Sequence, residues 1–155
     1  MHRHLHHRPS RERGVAAVEF GIVAMLLVTL LLGASEFGRA MYQYNTVVKS
    51  TRAAVRHLSQ FAPGDAAAIA QAVNLAVYGS AGGQGTPQVP GLTAGMVSVC
   101  DAASCPGTHQ RQPTGRGVIN LVTVTITGLP FQTQAGWLVP TFTFDAISAT
   151  MAQQL

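Results

Sequence analysis

Between Gly14 and Ser35 the chain runs for 22 residues with a single charged side chain, Glu19, and from Phe20 to Ser35 it carries none. The centre of the run, Ile22–Leu32, reads IVAMLLVTLLL. About 20 apolar residues in a helix cross the roughly 30 Å hydrocarbon core of a bilayer, so the segment is just long enough to span one. Arg3, Arg8, Arg11 and Arg13 precede it and Glu36 follows it. Basic residues stay on the cytoplasmic side, which predicts a cytoplasmic N-terminus and places residues after about 36 outside.

The helical pattern continues beyond the run. Phe37, Met41, Tyr44, Val48, Thr51, Val55 and Leu58 recur at alternating spacings of four and three, one mostly apolar stripe, while Glu36, Arg39, Gln43, Asn45, Lys49, Arg52 and Arg56 fill the other faces. No proline interrupts Val15–Leu58. One helix over these residues would be about 66 Å long, about twice what a membrane requires. Its outer half therefore needs another surface for its stripe. Phe37, Tyr42 and Tyr44 have the character of an interfacial aromatic belt, although Tyr44 is expected to pack under a sheet instead. Glu36 and Arg39 read as a solvated pair on the helix surface, worth a few tenths of a kcal/mol.

Pro63-Gly64-Asp65 ends this helix and offers Asp65 as the N-cap of a second. Ile69, Val73, Ala76 and Val77 give the second helix its apolar face, and Gly79 is placed to stop it. A Gly/Pro loop, Ser80–Gly91, follows. The rest reads as strand: Met96–Cys100, then Val118–Thr127, where Val122, Val124 and Ile126 alternate with threonines, then Thr141–Met151, with Phe142, Phe144 and Ala146 on one face. A three-stranded antiparallel sheet with one apolar face needs a cover, and the outer half of the long helix supplies it. The expected fold is α+β: a long N-terminal helix packed on about three antiparallel strands, with a short second helix.

The net charge of +4 and the pI near 9.7 do not describe a nucleic-acid-binding surface. Residues 1–13 hold +3 of it, and Lys49, Arg52 and Arg56 form only a small basic face, more simply a solvated one. Charged residues make up 10% of the chain, against roughly 25% in ordinary soluble domains. So low a fraction excludes a charged disordered tail and a soluble coiled coil. Recognisable signatures of nucleophilic, metal-dependent or nucleotide chemistry are missing, and Gly82–Gly85 (GGQG) sits in a proline-bearing loop with no preceding strand. No enzyme activity, cofactor or small-molecule substrate is expected.

The segment Arg13–Phe20, RGVAAVEF, resembles the processing site of type IV pilin-like precursors, where a hydrophilic leader ends in Gly and mature residues five and six are Glu and an aromatic. Glu36–Asn45 (EFGRAMYQYN) and Thr51–Arg56 (TRAAVR) resemble the N-terminal domain of the TadE/TadG group of Flp (tight adherence) pilus assembly proteins. Asn74–Leu92 and Ala146–Met151 share that look. The resemblance implies cleavage between Gly14 and Val15 by a prepilin peptidase, with Glu19 and Phe20 as the recognised residues. The implied layout is a leader over 1–14, a transmembrane helix over 15–35, its amphipathic continuation over 36–60 and a periplasmic α+β domain over 61–155. The implied setting is the bacterial inner membrane, with other pilus subunits and the bilayer as partners and possible incorporation in an extracellular pilus.

Cleavage there would create an amine at Val15 that is mostly cationic at neutral pH. A carboxylate at membrane depth is tolerated when paired, so Glu19 of one chain would pair with the Val15 amine of a neighbour and set register. Uncleaved, Glu19 would instead snorkel near Arg13. Cys100 and Cys105, in an oxidising compartment, are expected to form a disulfide, with zinc and redox chemistry the weaker readings. His2, His4, His6 and His7 form a tract that could bind metal but that leaves with the leader. Two rival readings share the sequence: an uncleaved, single-pass, membrane-anchored periplasmic binding module, and a secreted protein cut near Ser35 after Gly33-Ala34-Ser35.

Overall fold

A computed structural model describes residues 10–153, with side chains from Gly14 onward. The His2–His7 tract lies outside the described residues. Helix α1 runs unbroken over Ser10–Leu58, 49 residues, or about 74 Å at 1.5 Å per residue. It is the one helix among the described residues long and apolar enough to cross a membrane, and none of its apolar window is buried by the rest of the chain.

Helix α2, Ala66–Tyr78, starts where Asp65 accepts hydrogen bonds from the backbone N–H of Ala67 and Ala68, at 2.9 and 3.1 Å. It stops at Gly79, which takes the left-handed conformation at φ 72°, open to glycine at little cost. Both ends lie where the sequence puts them. Losing a side-chain N-cap costs about 1 kcal/mol, so Asp65→Ala should lower the unfolding free energy of the detergent-solubilised full chain by that amount and move its denaturation midpoint down. An unchanged midpoint would mean that packing of Ala68, Ala72, Ala76 and Val77, all buried, holds α2 unaided.

The sheet is organised around β3, Val118–Ile126. It pairs antiparallel with β1, Val97–Cys100, in the register Val97–Ile126 to Cys100–Thr123. It also pairs with β6, Ile147–Gln153, from Ile126–Ile147 to Asn120–Gln153, and near its start with the short β2, Gln112–Pro113. Val122, Val124 and Ile126 are buried while Thr123 and Thr125 are half-exposed, the alternation expected of a half-covered strand. A one-turn helix, α3 at Pro106–His109, lies between β1 and β2. A separate two-stranded ribbon joins β4, Pro130–Phe131, to β5, Phe142–Thr143.

The outer half of α1 covers the sheet, and α2 packs beside it. Val47, Ala54, Val55 and Leu58 of α1 meet Ala68, Ala72, Ala76 and Val77 of α2, Val122, Val124 and Ile126 of β3, and Ile147 of β6 in one core. Alanine at these contacts lets the elements approach closely. The buried hydroxyls of Ser50 and Thr51 both bond the Val47 carbonyl, at 3.0 and 2.8 Å, so neither is left unsatisfied.

Three expectations need correction. Thr51, Val55 and Leu58 of the predicted stripe are buried and Val48 is half-buried, but Phe37, Met41 and Tyr44 are exposed. Toward the apolar run the inward positions of α1 belong to Glu36 and Gln43, both buried. Polar contacts hold the helix there, so apolarity no longer marks its inner face. Tyr44 is exposed, its ring tilted against that of Phe144 at a separation of 6.1 Å, instead of being packed beneath the sheet. The predicted third strand is also broken. Phe142 and Phe144 leave the sheet to cluster with Phe131, and pairing with β3 begins only at Ile147. In β6 the inward residues are therefore Ile147, Ala149, Met151 and Gln153, with Ala146 exposed.

Candidate processing and assembly site

The residues singled out at the N-terminus lie on one uninterrupted helical segment. Val15, Glu19 and Phe20 are all exposed, and Gly14, Val15, Val18, Glu19 and Ile22 line one shallow groove along α1. Glu19 stands one turn above Val15, roughly 6 Å along the axis. An i, i+4 relation puts both on the same face. Among the described residues Glu19 has no ion-pair or hydrogen-bond partner. Val15, Phe20, Ile22, Met25 and Leu31 project outward around the helix, so nothing in the folded domain covers this half.

At the top of the apolar run the helix is clamped to the domain. Glu36 is only 6% exposed. One carboxylate oxygen accepts the backbone N–H groups of Gln134 and Ala135, at 2.8 and 3.1 Å, and the other accepts Arg39 at 2.8 Å. Burial pulls the Glu36 carboxyl up, but the two backbone donors and the Arg39 guanidinium outweigh it and hold it below the usual carboxylate range. Arg39 also donates to the Gln132 carbonyl and lies over the Phe131 ring, 5.0 Å from its centroid. The solvated helix-surface pair expected from spacing is in fact a buried tether to a loop nearly a hundred residues away, and only the three-residue spacing of the pair was visible in sequence.

A second polar centre sits at the far end of the domain. Asp101 is 2% exposed. Its Oδ1 accepts the N–H groups of Ala103 and Ser104 and the Ser104 hydroxyl, at 3.0, 2.8 and 2.9 Å, and its Oδ2 accepts Gly64 N–H at 2.7 Å. Desolvation raises the Asp101 carboxyl, and these four donors more than offset it, leaving it below its ordinary value. Gly64 has φ +79°, and a Cβ there would come within 3.1 Å of the Ala103 methyl, so glycine is required where the α1–α2 turn meets this loop.

Cys100 and Cys105 are joined by a disulfide across that loop, with Cα atoms 5.6 Å apart. His109 lies 3.5 Å from the Cys100 sulfur, and its ring bonds the hydroxyls of Thr108 and Thr123, both at 2.8 Å. The three residues come within metal-ligating distance of one another, but sulfurs bonded to each other offer no thiolates for a metal. Lys49, Arg52 and Arg56 are exposed on the face of α1 away from the core.

No curated protein and no solved structure matches the chain. Residues 14–56 match the model of the TadE-like protein family, a stretch that opens at Gly14 and ends two residues short of the end of α1. The stretches VAAVEF, EFGRAMYQYN and TRAAVR fall within the matched residues, so over most of its length the long N-terminal helix of this chain is similar to that of TadE-like proteins.

Proposed function

We propose that the protein is a pilin-like minor subunit or assembly factor of a Flp-type (tight adherence) pilus. In this reading it is held in the bacterial inner membrane by residues 15–35, and a prepilin peptidase processes it between Gly14 and Val15. The observation that carries the reading is the unburied apolar half of α1 with Glu19 inside it. A helix face of that length requires lipid or neighbouring helices, and a lone carboxylate within it requires a cation. The Val15 amine of an adjacent subunit meets that need one helical turn from where Glu19 stands. The domain beyond residue 60 then supplies lateral contacts, and the helix retains the subunit in the bilayer until assembly.

Determining the N-terminus of the membrane-associated protein by mass spectrometry tests the processing step. Val15 is expected. An intact leader would favour an uncleaved, membrane-anchored binding module, and a start at Glu36 would favour a conventionally secreted protein. Glu19→Ala should leave membrane insertion at wild-type level and abolish most assembled pili. Normal piliation in that variant would remove the pairing role of Glu19.

A further inference from the structure

We infer that the loop Gln132–Val139 is a membrane-docking element that seats Trp137 among lipid headgroups beside the point where α1 leaves the bilayer. The inference rests on the reading of residues 15–35 as a membrane span.

Height is fixed by the tether. Glu36, the first residue after the apolar run, holds the N–H groups of Gln134 and Ala135, so the loop lies level with the end of the span. Other parts of the same region reach lower. Gly33, in the last turn of the run, lines one apolar groove together with Phe37, Val139 and Phe142. A segment pinned at residue 36, with Val139 facing residue 33 across one groove, lies at the bilayer surface whenever the run is inside it.

Chemistry agrees with position. The 17 residues from Gly128 to Phe144 contain no charged side chain. Trp137 is 74% exposed, Phe37 69% and Phe142 43%, and the apolar patch that Phe37 and Phe142 form reaches Gly33 in the last turn of the span. Trp has a large apolar ring with one N–H donor and is enriched where hydrocarbon meets headgroups. Exposed to water the patch has no such use. Lipid is the occupant that continuity with the span selects.

Trp137 is the only tryptophan in the chain, so its fluorescence reports the loop without mutation. The full chain would be reconstituted in phosphatidylcholine/phosphatidylglycerol vesicles, with and without acyl chains brominated near their carbonyl ends. We expect emission blue-shifted from that of the denatured chain, strong quenching by the brominated lipids, and marked loss of acrylamide quenching. Acrylamide access as full as in the denatured chain, with α1 still resisting alkaline extraction, overturns the docking inference alone. Shielding from acrylamide without bromolipid quenching, rising with protein-to-lipid ratio, overturns it in favour of a second copy of the chain. Release of the protein by alkali overturns the span and the docking together.

Discussion

Phe131→Ala is expected to destabilise the domain by about 3–5 kcal/mol, the cost of truncating a fully buried aromatic side chain. Phe131 is 1% exposed, with Phe142 and Phe144 rings at 5.0 and 6.0 Å and the Arg39 guanidinium over its face. Removing the ring takes away its own buried area, leaves a cavity among aromatic neighbours and strips a partner from a half-buried cation. Beyond the Glu36–Arg39 tether the region has little else to hold it, since β4 and β5 are two residues each. Guanidinium denaturation of the full chain in detergent micelles measures the loss. A change below about 1 kcal/mol, within reach of a relaxed surface substitution, would show that the ribbon is held by the Glu36 tether and not by its aromatic cluster.

Asp101→Ala is expected to cost about 2–4 kcal/mol, because a buried carboxylate that accepts four part-buried hydrogen bonds is removed at once. Its pH signature separates it from a packing defect. The carboxyl is depressed in the folded chain, so its contribution is fully present above the unfolded value of about 3.9 and drains away as pH falls through the lower, folded one. Wild type should therefore lose stability below about pH 4 more steeply than Asp101→Asn, whose amide does not titrate. Parallel pH profiles of the denaturation midpoint in the two proteins would show that Asp101 is bridging by shape and not as an anion.

How much of this was legible in the sequence depended on the range of the interaction. The alternation in β3, the Asp65 cap and the Gly79 stop are local and follow from backbone periodicity and φ preference. The break after Thr143 was missed because Phe142 and Phe144 continue the strand alternation in sequence while packing on Phe131, which precedes them by a turn-rich stretch. The tether was missed for the same reason in stronger form: Glu36 meets Gln134 across 98 residues, and nothing near Glu36 signals that its partners are backbone amides. Asp101 likewise reaches back 37 residues to Gly64. At the N-terminus the pattern Gly14-x4-Glu19-Phe20 before an apolar run was plain in sequence. The structure adds that Val15 and Glu19 share a face that the folded domain leaves open.

The absence of any break in α1 has a geometric consequence. Because residues 15–58 form one continuous helix, with no proline between the apolar half and the packed half, the bearing of the domain around the helix axis is locked to the bearing of the exposed apolar side chains. Each residue along an α-helix turns by about 100°. Adding or deleting one residue between Leu32 and Glu36 would therefore swing the domain by more than a quarter of a circle relative to Glu19 while shifting it only about 1.5 Å along the axis. In an assembly built from such subunits, the azimuth at which neighbouring domains meet is written into the spacing between those two glutamates.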